Sequence, residues 1–249
     1  MRSEILKKIS PLKWWVLSKL YVPSKYLNSL RGLYKGETIF VVCNGPSLNS
    51  TPLDKLKGVS IGMNKIHLIF DKVDWRPNWI IVNNGLVVHQ LIETNLDHGI
   101  QYLLDFKSRF FPKIGKLKPI YFLSHYRAVF SENVTKFFGS AGTVTFSAIQ
   151  LAVFLGARRI IIVGMDHNYM DHDNGKSVSK IEKFKGKDIN HFDPNYFQNH
   201  FWGTPNLYRS EEGYRMARRQ CENLGIEIFD CTIDGKCKIF EKRDINEFV

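Results

Sequence analysis

Apolar residues in this chain gather in short blocks set between polar turns. The run Thr38-Ile39-Phe40-Val41-Val42-Cys43 is unbroken and rich in β-branched residues. A strand buried on both faces reads this way. It stops at Asn44-Gly45-Pro46-Ser47, where a Gly-Pro pair forces a tight turn. Blocks of the same kind at Gly58–Asn64, Pro77–Asn84, Ile100–Leu104, Pro119–Leu123, Arg159–Gly164 and Ile226–Phe229 predict six further strands. Helical spacing appears between them. Gly85 opens one such run. Ser140-Ala141-Gly142-Thr143 opens another, with Phe146, Ile149, Leu151, Ala152, Phe154 and Leu155 apolar up to Gly156. A polar-faced helix runs from Glu211 to Leu224 and stops at Gly225. Strands alternating with helices imply βαβ units, hence an α/β fold: a single Rossmann-like domain with a mainly parallel sheet. From Asp166 to about Tyr208 no period holds, and a stretch that long inside a compact domain reads as a lid. The expected organisation is an N-terminal segment over 1–36, a catalytic domain over 37–235 with its lid at about 166–208, and a tail over 236–249.

Composition narrows this picture. No apolar run in the 249 residues approaches the ~20 needed to span a bilayer, and the N-terminus lacks the pattern of a secretory signal. The cysteines Cys43, Cys221, Cys231 and Cys237 have no CxxC spacing, which disfavours zinc and fits a reduced cytoplasmic setting. The formal charge is +11. Its densest part precedes the first strand, where Lys7, Lys8, Lys13 and Lys19 interleave with Ile5, Leu6, Trp14, Trp15, Val16, Leu17 and Tyr21. That mixture predicts a basic amphipathic helix lying on the inner face of an anionic membrane; the competing reading is a helix whose aromatics pack on the main domain. No recognisable nucleic-acid module accompanies the charge, so nucleic acid is not an expected partner.

Ligands of open α/β sheets bind beyond the carboxyl ends of the strands, so the strand-end residues are the candidates for chemistry. Asn44, Asn64 and Asn83 or Asn84 put amides at three successive strand ends, and an amide both donates and accepts, as base edges and sugar hydroxyls require. Taken singly, each would be an ordinary turn residue or cap. Gly45, Pro46 and Ser47 complete the first loop. Ser140, Ala141 and Gly142 form a small-residue helix start whose free N–H groups attract phosphate, unless Ser140 serves only as its cap. Asp166 ends the strongest strand; it could bind a metal or ribose, orient a histidine, or cap a turn. In the lid, His191 and His200 stand among aromatics and suit a general base shielded from water, while His167 and His172 flank Asp166 more closely.

These residues carry a resemblance. Asn-Gly-Pro-Ser-Leu at 44–48, the strand-end Asn residues, and the 140–166 segment ending Leu-Gly-Ala-Arg-Arg-Ile-Ile-Ile-Val-Gly-Met-Asp are similar to two related bacterial families, over roughly residues 37–235. One is the MptE-like family, named after an archaeal 6-hydroxymethylpterin diphosphokinase. The other comprises lipooligosaccharide sialyltransferases that use CMP-sialic acid. The lid's His-Phe-Asp-Pro-Asn-Tyr-Phe at 191–197 is similar to a segment of MptE-like proteins from surface-polysaccharide gene clusters. The resemblance implies that Asn44, Gly45, Asn64 and Asn83 or Asn84 hold a CMP-type donor, with Ser140 and Gly142 at the helix start beside it. It also implies a lid histidine, His191 or His200, as base, and Tyr169 facing the leaving phosphate where those enzymes have the first of two tyrosines.

The function expected is a glycosyltransferase of cell-surface polysaccharide assembly. It would move sialic acid, a related nonulosonic acid or Kdo from a CMP-linked donor to a lipid-linked or oligosaccharide acceptor. No metal is required, Mg²⁺ is compatible, and a homo-oligomer is compatible. The alternative is an ATP- and Mg²⁺-dependent pyrophosphokinase of a pterin-like alcohol, with Asp166, Asp171 and Asp173 on the metal; a non-catalytic nucleotide-binding protein is the third reading.

Overall fold

The computed structural model describes residues 2–94, 99–169 and 181–249, without the side chains of residues 2–10. The chain opens with helix α1 (Arg2–Leu20) and the short α2 (Lys25–Ser29). Strands β1 (Thr38–Val42), β2 (Val59–Met63) and β3 (Trp79–Val82) follow, then α3 (Gly85–Ile92), β4 (Gln101–Asp105) and β5 (Ile120–Phe122). Next come α4 (Val144–Leu155), β6 (Arg159–Val163), β7 (Ile181–Lys183), β8 (Phe201–Gly203), α5 (Leu207–Asn223), β9 (Glu227–Asp230) and β10 (Glu241–Lys242). Eight of the strands form one sheet in the order β10-β9-β6-β1-β2-β3-β4-β5, with every pair parallel. The α/β expectation is met: this is a doubly wound Rossmann-like sheet. Chain order runs outward from β1 through β5 on one side and resumes with β6 on the other, so the topological switch lies between β1 and β6, where such folds open a crevice.

The continuous apolar runs follow from burial of both sheet faces. Ile39, Val41, Ile61, Ile81, Leu103, Ile160 and Ile162 face one core with α4, α5, Leu27 and Leu30. Phe40, Val42, Ile80, Val82, Leu104, Ile161 and Val163 face the other, with α3 and the aromatics Phe192, Tyr196, Phe197 and Trp202. Alternation of period two along each strand divides them. Helix α4 lies between the sheet and α5 and is buried nearly all round, so its sequence is apolar with hardly a polar stripe. Gly156 ends it in the left-handed conformation at φ 93°, and a side chain there would press on the backbone of Lys35.

Four expectations need correction. Residues 236–249 are not a tail: β10 extends the sheet, and Cys237, Ile239, Phe240 and Ile245 are buried. The segment 1–36 is not one unit either. Leu27 and Leu30 are fully buried, and Gly32, Tyr34 and Gly36 donate N–H bonds to the carbonyls of Phe154, Leu155 and Gly156. The cap of α4 is Thr143, whose hydroxyl accepts from the Thr145 N–H, rather than Ser140. Within the aperiodic segment, β7 and β8 pair as an antiparallel hairpin, and α5 starts at Leu207 rather than Glu211. At three residues each, β7 and β8 lack the continuous apolar block that marks β5 and show no alternation to read.

Helix α1 packs through Trp14, Leu17 and Tyr21 on Phe106, Leu123, Tyr121 and Phe137. Trp14 meets the His125 ring edge-on at 4.8 Å, and the Tyr21 hydroxyl donates to the Tyr121 carbonyl at 3.3 Å. Two contacts in that order set α1 antiparallel to β5, its N-terminal half directed toward the carboxyl edge of the sheet. Leu12, Trp15, Val16 and Leu20 are exposed on its other side, Trp15 by 56%. The packing reading of this segment is met on one face; the opposite face is exposed. No helix among the described residues is long and apolar enough to cross a membrane.

Candidate functional site

The strand ends of β1 to β6, the start of α4 and the 188–205 segment enclose a cleft of about 520 Å³. Its first wall is the loop after β1. The Cys43 and Gly45 N–H groups bond to the carbonyls of Val163 and Gly164, which fastens the loop to β6. Asn44 is buried; its Nδ2 donates to the Met63 carbonyl (3.0 Å), and its Oδ1 has no partner. Asn64 adopts a left-handed conformation (φ 51°) just past β2, and its side chain bonds the Tyr196 hydroxyl while Oδ1 is unpartnered. Native interiors rarely leave such acceptors empty, and these two share one cleft. Asn83 donates to Ser147 Oγ (3.2 Å), and Asn84 caps α3 by accepting from the Leu86 N–H (3.0 Å). All four amides line the cleft.

Asp166 lines the cleft, and both its carboxylate oxygens are engaged. Its Oδ1 accepts from the Ser47 N–H (3.0 Å) and its Oδ2 from the Ser47 hydroxyl (2.7 Å). The carboxylate therefore clamps the β1 loop rather than standing free as a catalytic group. The same contact explains Gly45, since a Cβ there would overlap the Asp166 carboxylate. Glycine is needed for approach of protein to protein, not only of protein to ligand. Pro46 and Ser47 do not line the cleft. Ser140 and Gly142 do, but Ala141 is fully buried, with its Cβ turned toward Gly213. Tyr169 lines the cleft half-buried, and burial pushes its hydroxyl up to about 12, so it stays a donor at neutral pH. His167 places Nε2 3.2 Å from Glu211 Oε1 and its ring beside Tyr214.

The lid histidines separate clearly. His191 lines the cleft; His200 does not. Nδ1 of His191 is 2.9 Å from Oδ2 of Asp188, whose side chain is fully buried. Asp188 is itself held, its Oδ1 accepting from the Asn190 N–H and its N–H donating to the Pro194 carbonyl. An acceptor-only carboxylate on Nδ1 fixes the proton there in the neutral ring, leaving Nε2 as the basic nitrogen. The His191 ring stacks on Tyr196 at 4.1 Å with 8° between the planes. Sequence reasoning missed Asp188; the available signal was its place three residues before a lid histidine.

The described part of the lid is fastened to the domain. Phe192 donates its N–H to the Asn44 carbonyl and accepts from Asn49 Nδ2 (2.8 Å). Lys65 is buried, and its ammonium donates to the Tyr196 carbonyl beneath the rings of Tyr196 and Phe197. Burial draws its pKa down to about 8. Gln90 Nε2 donates to the Phe201 carbonyl (2.9 Å). Asp171, His172 and Asp173 lie outside the described residues. Among the described residues no group of three or more His, Cys, Asp or Glu is placed to hold a metal ion.

Residues 17–172, more than half of the chain, match the family model described as 6-hydroxymethylpterin diphosphokinase MptE-like. Among solved structures, the MAf glycosyltransferase from Magnetospirillum magneticum AMB-1 superposes with a TM-score of 0.54 over 86% of this chain, at 15% identity. The chain spans 34% of that structure's length, and at this identity the likeness is one of fold. No curated protein matches.

Proposed function

The chain belongs to the MptE-like family, and on that premise we propose that it is a glycosyltransferase acting on a nucleotide-sugar donor and a glycan acceptor. The observation that carries the reading is the Asp188–His191 pair, held over a cleft whose floor is a row of strand-end amides, two of them, Asn44 and Asn64, with unpartnered oxygens. The likeness of fold to a glycosyltransferase agrees with it. In the proposed reaction Nε2 of His191 takes the proton of the acceptor hydroxyl. That oxygen bonds to the anomeric carbon as the bond from carbon to the donor phosphate breaks, and the nucleotide leaves with the electron pair. Tyr169 and the N–H groups at the start of α4 stabilise the departing phosphate. The donor proposed is CMP-linked, carrying sialic acid, a related nonulosonic acid or Kdo. The acceptor is proposed to be a lipid-linked or oligosaccharide chain of the cell surface, reached at the inner face of the cytoplasmic membrane through the exposed side of α1.

A thermal-shift panel of CMP, CDP, UDP, GDP and ATP, each with and without Mg²⁺, tests the donor. A ligand that binds only the native state raises the melting temperature in proportion to ln(1 + [L]/Kd). Stabilisation by CMP without Mg²⁺ supports the reading. Stabilisation by ATP with Mg²⁺ alone would move the assignment to the pyrophosphokinase that the family description names.

A further inference from the structure

The β4 and β5 end of the cleft plays no part in the reaction above, yet it is built like a binding site. Asp105 closes β4 and is 2% exposed. Its Oδ1 accepts from the Lys107 N–H (2.9 Å), while Oδ2 has no hydrogen-bond donor, its nearest cation being Lys107 Nζ at 3.7 Å. Ser124, just past β5 and 9% exposed, likewise has an unpartnered hydroxyl. Both line the cleft with Lys107, His125 and Tyr126. Nδ1 of His125 lies 3.1 Å from the Arg127 nitrogen and 3.4 Å from the Arg127 carbonyl; with Nδ1 accepting the shorter contact, the neutral ring offers an Nε2–H.

This set of groups selects a chemistry. A buried carboxylate oxygen without a donor is costly, and an apolar ligand would leave it so. A bare anion would meet that same oxygen unfavourably. Adjacent hydroxyls of a sugar satisfy the whole set, donating to Asp105 and Ser124 while accepting from Lys107 and His125. We propose that the Asp105–Ser124 end of the cleft is the subsite for the terminal sugar of the acceptor. The inference rests on the glycosyltransferase reading. The arrangement of the row supports it: neighbouring strands stand about 4.8 Å apart, so β4 lies about 10 Å from β2, where Tyr196 carries His191. The base thus stands between the β1 loop and this end. The same end abuts α1 through Trp14 on His125, the side from which a lipid-linked acceptor would arrive.

The test uses the full chain, CMP, and methyl glycosides of galactose, glucose, mannose and N-acetylglucosamine as probes, read by saturation-transfer NMR and calorimetry. At least one glycoside should bind the wild type in the millimolar range. Asp105→Asn keeps an oxygen for the Lys107 N–H and removes the charge; Ser124→Ala removes the hydroxyl. Each should weaken glycoside binding about tenfold and leave CMP affinity within about twofold. The proposal is overturned if no glycoside binds the wild type, if both variants bind it unchanged, or if they lose CMP instead. Should glycoside binding depend on both residues while CMP does not bind at all, the subsite stands and the donor assignment falls.

Discussion

At the scale of single residues, two contacts make sharp demands. Gly45→Ala sets a methyl group against the Asp166 carboxylate, so it should cost about 1–3 kcal/mol and weaken nucleotide binding through the Asn44 loop. Asp166→Ala removes the tighter of the two obstacles, the Gly164 carbonyl at 2.8 Å remaining, as well as the Ser47 clamp. In a double-mutant cycle by denaturant unfolding, the pair should therefore cost clearly less than the two single losses together; additive losses would show that the contact does not couple them. His191→Ala should lower kcat by about 10²–10⁴ with donor affinity retained, whereas His200→Ala should leave kcat near wild type. Asp188→Asn should lower kcat with donor affinity retained, since the Nδ1 proton is then no longer held by a charge. The strand-end amides were legible in the sequence because a strand that ends in Asn is a local pattern. Asp188 was not, because its importance depends on burial and on which way the His191 ring turns. The Asp166–Ser47 contact was hidden for a related reason: Ser47 lies 119 residues earlier in the chain.

At the scale of elements, long runs announced themselves and short ones did not. Seven sheet strands and the helices α3, α4 and α5 stand where the apolar pattern predicts them, while β7, β8 and β10 have two or three residues each and no readable period. The lid looked structureless because its order comes from aromatics packing on a distant sheet face, not from repetition along the chain. Helix α4 should be sensitive at its cap: Thr143→Ala should cost about 1 kcal/mol by denaturant unfolding. For α1, the free face predicts behaviour separable from catalysis. Replacing Leu12 and Trp15 with Ser should sharply reduce co-sedimentation with phosphatidylglycerol vesicles, and wild-type binding should weaken with salt because Lys13 and Lys19 flank these residues. Nucleotide affinity should not change. Equal sedimentation of the variant would assign this face to a protein partner instead.

At the scale of the whole molecule, burial of ionisable groups sets the response to pH. Cys43, Cys221 and Cys231 are buried and pushed up to about 12. The folded protein therefore keeps their protons where the unfolded chain releases them. Their contribution is full below the ordinary thiol value of 9.0 and is lost as pH climbs from there toward 12. Lys65 acts in the opposite sense: with its folded pKa near 8 and an ordinary value of 10.5, it adds stability as pH rises between the two. Three thiols outweigh one ammonium, so the melting temperature should fall between pH 9 and 11. A thiol reagent at pH 8 should label all four cysteines only after denaturation. The fold class was legible in the sequence because a doubly wound sheet is written in alternating blocks. How the cleft divides into two ends was not, because strand order, not chain order, decides which residues are neighbours.

The way α1 is mounted has a consequence for reach. A flexible arm would let the cleft wander over a membrane at any distance. Bound through Trp14, Leu17 and Tyr21 to Phe106, Leu123 and Tyr121, this helix would act as a spacer instead. Docked by its free face, it would hold β5 one helix diameter, about 10–12 Å, above the lipid. The protein would then measure its acceptors from the membrane outward, passing over sugars too close to the surface and those too far from it.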